Sequence, residues 1–367
     1  MAGDETRKDG NAEAKPGASE NAGRTEMKDG AVLSSEKATV TDAENEPGVR
    51  VIEGREVPFT HPDKLFWPAD GITKERLAQY YLRLWPRMKA HLADRPVTIK
   101  RYPRGLGAGG FYQRRVQEWF PPWVRTADLP MKEDPAQVVR EAVIDHPATL
   151  VFLVNIGALE IHASLAHADA PDVPDLIIFD LDPPRDYVDA VRTTALNFRA
   201  MLADLGLAVF VKTTGSRGFH VTIPIRPRYA FDVIRPFARA LAERMIARDP
   251  ERLTLTPRKA ERKGRILIDI WRNAYAQTAV APYSTRARLH APVARPLPWE
   301  ALQTPDIHPR RYTLANAEEW LAEPCPWQDM RSLAVDLTAW AKDAPSDLAA
   351  FLLKAEETTQ SARKDNS

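Results

Sequence analysis

Short, continuous apolar runs punctuate the middle of the chain: Leu150 to Val154, Leu176 to Phe179, Ala208 to Val211, Val221 to Ile225 and Ile266 to Ile270. Each is short enough for a strand covered on both faces. Helix-like stretches, Tyr187 to Leu205 and Tyr229 to Ala247, lie between them. Strand and helix thus alternate, which predicts an α/β domain on a mixed sheet. Upstream, Leu77, Tyr80, Tyr81, Leu84 and Met88 return to one helical face over Thr73 to Asp94. Thr73 is placed to cap this helix and Pro86 to kink or restart it.

The ends read differently. Residues 1–50 are rich in Gly, Ala, Glu, Lys, Asp and Thr with few large apolar side chains, so they cannot offset the entropy of ordering and are expected as a disordered tail. A catalytic domain is expected over 51–300. A helical extension follows over 301–355, carrying Trp320, Leu321, Leu333, Leu337 and Trp340, and then a polar tail over 356–367.

Composition narrows the chemistry. Lys plus Arg number 51 against 50 Asp plus Glu, so no global field draws the chain to nucleic acid and any such site must be a local patch. Cys325 is the single cysteine, which excludes an internal disulfide and a Cys-rich zinc site; metal ligands should be oxygens. No run approaches the roughly 18 apolar residues of a membrane span, and the polar, charged start lacks a signal peptide's apolar segment. A soluble cytoplasmic protein without membrane contact is the expectation.

The sharpest signal is Ile177-Ile178-Phe179-Asp180-Leu181-Asp182-Pro183-Pro184. On a strand, residues i and i+2 share a face, so Asp180 and Asp182 can converge on the same cations while the prolines end the strand. Paired carboxylates repel unless a cation or hydrogen bonds compensate, and hard oxygen donors favour Mg2+ or Mn2+. An exposed Asp-x-Asp turn capping the next helix is the plain alternative. A third acid, Asp269, ends the run beginning at Ile266; three carboxylates from two strands could hold two divalent cations that bridge a triphosphate and activate a primer hydroxyl. Between these acids, Lys212-Thr213-Thr214-Gly215-Ser216-Arg217-Gly218-Phe219-His220 joins two predicted strands. Its small residues let backbone N–H groups approach phosphate, Thr214 and Ser216 add hydroxyls, and Arg217 adds charge. A hairpin turn is the alternative, with His220 a structural histidine.

The order Asp-x-Asp, then Ser/Thr-Gly-x-Lys/Arg-Gly-x-His, then a lone strand Asp resembles the archaeo-eukaryotic primase superfamily, and within it the polymerase domain of bacterial ligase D proteins. The resemblance runs from about Thr60 to Trp299 and includes Asp63 to Pro68, Arg95 to Pro103, Leu159 to His162 and Ala281 to Arg288. It implies a primase-like core of mixed sheets flanked by helices. It also implies a polymerase adding nucleotides to a primer 3′-hydroxyl, with Asp180, Asp182 and Asp269 on the metals. Lys100, His162, Thr214, Ser216, Arg217, His220 and Arg286 would form the nucleotide site. Lys64, Lys74 and Arg101 would receive a downstream 5′-phosphate, and Phe111 with Tyr112 would stack on template near the gap.

The same resemblance implies gapped or broken DNA and NTP or dNTP as substrates, a preference for ribonucleotides, gap filling in end joining, and partnership with a Ku-like protein and a separate ligase. A monomer is its expectation. His61, Thr214 and Arg217 stand where the family often has Asn, Ser and Lys. Lys28-Asp29-Gly30 lacks the intervening residue of a ligase Lys-x-Asp-Gly signature, so a stand-alone polymerase module is expected. Arg258 to Arg265 is a basic stretch that could grip template or primer phosphates. The rival readings are a haloacid-dehalogenase-type phosphatase, whose Gly-Thr is replaced here by Pro183-Pro184, and a non-catalytic DNA-end-binding factor.

Overall fold

A computed structural model describes residues 48–184 and 187–365. Most of the expected N-terminal tail, residues 1–47, lies outside them, and Val49 already belongs to the first strand. Two short hairpins come first, β1 (Val49–Ile52) with β2 (Arg55–Pro58) and β3 (Leu65–Trp67) with β4 (Ile72–Thr73), followed by α1 (Lys74–Leu92). Next come β5 (Pro96–Arg101), β6 (Phe111–Gln113), β7 (Thr126–Pro130), β8 (Val138–Val143), α2 (Pro147–Asn155) and β9 (Ala158–Ser164). The chain continues through β10 (Leu176–Asp182), α3 (Val188–Asp204), β11 (Phe210–Thr213), β12 (Phe219–Pro224), α4 (Phe231–Arg248), β13 (Leu253–Thr254) and β14 (Ile266–Asp269). It closes with β15 (Thr278–Val280), β16 (Pro296–Leu297), α5 (Ala317–Leu321), α6 (Leu337–Trp340) and α7 (Ser346–Asp365).

These strands form two large sheets. One has the order β13-β14-β10-β12-β11-β16, with β13 and β14 parallel and the other pairs antiparallel. The other has the order β15-β9-β5-β8-β7, with β6 also on β5, and is antiparallel throughout. The expected α/β (α+β) class with mixed sheets and flanking helices is thus observed, as two sheets.

Side-chain alternation along β10 organises the centre. Ile177, Phe179 and Leu181 are buried in one core with Phe198 of α3 and Phe237 of α4. The Phe179 and Phe198 rings meet edge to face at 4.6 Å. Burying such side chains contributes roughly 1.5–3 kcal/mol each. Ile178, Asp180 and Asp182 take the opposite face, and Ile178 joins a small cluster with Ala279 of the second sheet. The carboxylates therefore enter a cleft between the sheets because their neighbours are committed to the helices.

Three expectations are corrected. Leu150 to Val154, read as a strand, lies inside α2: His146 accepts from the Ala148 N–H at 3.1 Å and Pro147 starts the helix. That helix is buried from Pro147 to Val154, so its apolar run carries no helical period. Pro86 does not restart α1, which runs on as one helix with Leu77, Tyr81, Leu84 and Met88 buried on one side and Thr73 capping the Arg76 N–H at 3.1 Å. Finally, α7 continues past Ala355 into the expected polar tail, and Glu356 accepts from Arg228 at 2.7 Å and Tyr229 at 2.8 Å.

Candidate active site

Strand register puts the predicted chemistry in one row. Asp180 pairs with Asp269 on one side and with His220 on the other, and His220 pairs in turn with Lys212. Asp182 follows on the same face of β10. His220 Nε2 lies 3.6 Å from Asp180 Oδ2. Burial opposes ionisation of Asp180, but His220, Arg272 and Lys212 outweigh it and hold the carboxyl below its usual range. Asp269 moves the other way: burial raises it, the Trp271 N–H donated to Oδ1 at 2.7 Å lowers it, and Asp180 and Asp182 raise it further. A carboxylate pushed up by two others is the situation a divalent cation relieves.

Asp182 is differently engaged. Arg217 donates to one oxygen at 2.8 Å and the buried Arg262 to the other at 2.9 Å. Among the described residues, no three His, Cys, Asp or Glu side chains are already gathered for a metal. Asp180 and Asp269 offer hard oxygen donors from neighbouring strands, while each oxygen of Asp182 accepts from an arginine.

The opposite wall comes from the antiparallel sheet. Tyr112, Lys100 and Glu160 pair in succession across β6, β5 and β9, and His162 lies two residues past Glu160 on the same face. Glu160 is buried and accepts from Arg286 Nε at 2.9 Å and the Ala287 N–H at 3.1 Å; it meets His162 Nε2 at 3.0 Å and Lys100 at 3.9 Å. Burial would raise its carboxyl, yet His162, Arg286 and Lys100 bring it down to about 2. Asp180, Asp182, Ser216, Arg217, His220 and Arg286 line one pocket of about 170 Å³, with Tyr112, His162, Thr214 and Arg272 also in its wall.

The turn before β12 is rigidly built. Thr214 Oγ1 donates to the Gly218 carbonyl at 2.9 Å and accepts the Ser216 N–H at 3.2 Å, so this hydroxyl shapes the turn. Arg286 Nη1 donates to the Thr214 carbonyl at 2.6 Å. A Cβ at Gly218 would sit 1.7 Å from the Leu181 carbonyl oxygen, so only glycine lets the turn pass the Asp-bearing strand.

The remaining predicted residues form a separate group. Lys74 Nζ donates to the Thr60 carbonyl at 2.5 Å and Asn155 Oδ1 at 2.9 Å, and burial with neighbouring Lys64 lowers its amine to about 8. Arg101 donates to the Ile156 carbonyl at 2.9 Å and lies over the Phe111 ring at 5.5 Å. The expected aromatic pair points two ways: Tyr112 lines the pocket of Asp180 and Asp182, 5.6 Å edge to face with His162, and Phe111 lies with Arg101.

A match to the model of the LigD primase-polymerase domain extends over residues 73–327. The chain belongs to that family. The solved polymerase domain of Mycobacterium tuberculosis ligase D, in complex with DNA, aligns with TM-score 0.70 and 28% identity, covering 76% of this chain and 99% of that one. The multifunctional non-homologous end joining protein LigD of Mycolicibacterium smegmatis is 30% identical over 259 residues, 70% of this chain and 34% of the relative. Its Pseudomonas aeruginosa counterpart is 31% identical over 296 residues, 79% and 32%. The chain thus spans about a third of the length of these relatives. As a LigD primase-polymerase domain it is a DNA-directed nucleotidyltransferase.

This LigD primase-polymerase site contains residues that sequence reasoning missed. Glu160 lies within the segment Leu159 to His162, and nothing in one sequence marks it as the shared partner of Arg286, Lys100 and His162. Arg262 is buried within an otherwise exposed basic stretch and aims at Asp182. Arg272 follows Asp269 by three residues and lines the pocket. Asn273 takes the Ile178 N–H and donates back to the Ile178 carbonyl, both at 2.8 Å, extending the β10 pairing where β14 has ended. A larger groove of about 710 Å³ lies beyond Asp269, where Arg235 covers the exposed Trp271 ring at 3.9 Å.

Proposed function

We propose that the chain fills short gaps at broken DNA by adding nucleotides, preferentially ribonucleotides, to a primer 3′-hydroxyl. The observation that carries this reading is the Asp269–Asp180–His220 row across three neighbouring strands, with Asp180 and His220 lining a small pocket that Arg217, Arg272 and Arg286 also line. Asp180 and Asp269, joined by Asp182, would hold two Mg2+ or Mn2+ ions. Bound there, they would supply charge neutralisation of the phosphates and a lowered pKa at the primer hydroxyl. Arg217, released from Asp182, has the charge and reach to take a triphosphate oxygen, alongside Arg286, His220 and Ser216. Lys100 and His162, fixed by Glu160, orient the nucleotide against Tyr112. Primer DNA can lie beside Asp269 along the Trp271–Arg235 surface, which offers an aromatic face and a cation.

The outer group of Lys64, Lys74, Arg101 and Phe111 suits a downstream 5′-phosphate and the base beside it. Two lysines and an arginine supply charge, and the half-exposed Phe111 supplies a stacking face. On this reading the chain acts as a monomer on gapped or 5′-phosphorylated ends, and a Ku-like end-binding protein and a separate ligase complete the repair.

Extension of a labelled primer on gapped DNA tests the proposal, with and without the downstream 5′-phosphate and with NTPs against dNTPs in manganese. Metal-dependent extension that Asp180→Ala abolishes is the expected result. Failure of folded wild type to extend under any of these conditions would refute it, and equal use of both sugars would remove the ribonucleotide preference.

A further inference from the structure

Trp67, Trp299 and Trp327 are buried and donate their ring N–H to backbone carbonyls. Trp119 is placed otherwise. It is 53% exposed, and its ring rests on Phe120 at 4.8 Å and on Phe152 of α2 at 6.2 Å, centre to centre. The segment that carries it is fixed. The Val116 N–H donates to the Arg140 carbonyl at 2.8 Å, the Phe120 N–H closes a turn on the Gln117 carbonyl at 3.0 Å, and the buried Phe120 meets Phe152 edge to face at 5.0 Å. A single exposed aromatic is ordinary on a protein surface. This one has company.

Arg101 lies over the Trp119 ring at 5.5 Å and over the Phe111 ring at the same 5.5 Å, and Phe111 is 50% exposed. Each ring centre is thus the same distance from one guanidinium carbon, and the two are at most twice that distance apart. The guanidinium is held by neutral oxygens, the Ile156 carbonyl at 2.9 Å and Gln113 Oε1 at 2.7 Å, and no carboxylate pairs with it among the described residues. Ile156 follows Asn155, to which Lys74 donates, so the end of α2 joins the two rings to the lysines of the outer group. Aromatic faces stack on bases irrespective of sequence. Two half-exposed rings around a fixed cation offer two such faces, one for each base of a pair. A gap leaves the first base pair of the downstream duplex with one face unstacked, and an open primer-template has no such pair.

We propose, on the reading that the outer group holds the downstream DNA end, that Trp119 joins Phe111 and Arg101 in capping the terminal base pair of the duplex beyond a gap. Trp119 is then a specificity-determining residue that favours gapped ends over open primer-template. A covering role alone, shielding Phe152 from water, would need only an apolar side chain.

The test follows fluorescence anisotropy of labelled DNA with the full chain, without metal or nucleotide. It compares a 5′-phosphorylated gapped duplex with the same DNA lacking the downstream strand. Trp119→Leu keeps an apolar cover over Phe152 and removes the ring. It should weaken binding of the gapped duplex by about tenfold, within the range of base stacking, and of the other DNA by less than about twofold. Trp119→Phe should recover most of the loss. Replacing the terminal downstream pair by two abasic sites should cost wild type about tenfold more than it costs Trp119→Leu, because ring and pair form one contact. On wild type itself, 5-iodouracil in the terminal pair should crosslink to Trp119 under ultraviolet light, a readout that needs no variant to fold. The proposal is overturned by unchanged gap affinity in Trp119→Leu, an equal loss on DNA lacking the downstream strand, no recovery in Trp119→Phe, equal abasic costs in the two proteins, or no crosslink from either strand. Lys74→Met tells the two failures apart. A gap preference that Lys74→Met lowers and Trp119→Leu leaves intact overturns the capping role alone, whereas a wild type without gap preference overturns the outer-group reading with it.

Discussion

Strand β5 delivers two neighbouring cations to unlike surroundings. Lys100 stands in the cleft, in register with Tyr112 and Glu160, while Arg101 pairs with Phe111 and donates to Ile156 and Gln113. Around Lys100, the side chains of Lys100, His162 and Arg286 share the buried carboxylate of Glu160. The group around Arg101 instead leans on carbonyls and amide oxygens at the end of α2 and keeps an exposed aromatic ring. A site pre-paired by buried charge is suited to fixing a reacting triphosphate; one with free aromatic surface and amines on neutral partners is suited to choosing which DNA end is held. The inner group should therefore control the chemical step, and the outer group should control substrate selection.

The largest effect that would sharpen this division is at Asp269. Asp269→Asn should lower extension by about 10³-fold or more, because a metal site supplies several kcal/mol of transition-state stabilisation. DNA-end affinity should hardly change in the same protein; a parallel loss of DNA binding by fluorescence anisotropy would break the comparison. Glu160→Gln comes next. It leaves Lys100, His162 and Arg286 without their shared anion, and nucleotide KM should rise by roughly 10- to 100-fold, as expected for lost hydrogen bonds between charged groups. The same variant carries a pH signature. Glu160 is held at about 2 in the folded chain, so its contribution to stability is full above its unfolded pKa and fades as pH falls toward the folded value. Denaturant melts of Glu160→Gln should lack that acid-side loss.

Smaller effects belong to the outer group. Lys74→Met should erase about tenfold of the preference for a 5′-phosphorylated gap, a charge-assisted contact, while extension of an open primer-template stays near wild type. Asn155 would lose its donor, so a thermal melt must accompany the assay. The smallest difference separates the two aromatics. Phe111→Ala should weaken gapped-DNA binding by about fivefold, near the low end of base stacking, whereas Tyr112→Ala should act on nucleotide KM. If both variants change only DNA binding, the split seen between the two rings carries no functional weight.

Much of the catalytic sheet was legible from the sequence because its strands are continuous apolar runs. The run Ile177 to Leu181, interrupted once by Asp180, reads as a covered strand ending in a pair of acids. The facing sheet gave no such signal. Strand β7 alternates exposed and buried positions around only Ala127 and Leu129, and β5 ends in Lys100 and Arg101, so local pattern does not separate these strands from loop. The buried α2 errs the opposite way, since a helix covered on every side shows no amphipathic period.

The sequence by itself determined the order of the chemistry: an Asp pair on one strand, a glycine-hinged turn with a cation and a histidine, and a third Asp on a later strand. Strand period and glycine geometry are local properties, so one segment at a time suffices to read them. Tertiary structure decided everything that depends on register between distant strands. It set Asp269 and His220 on either side of Asp180, gathered Lys100, His162 and Arg286 around Glu160, and turned Arg262 onto Asp182. Those relations depend on which residues lie opposite one another across the sheets and the cleft, and long-range packing of apolar faces fixes that alignment.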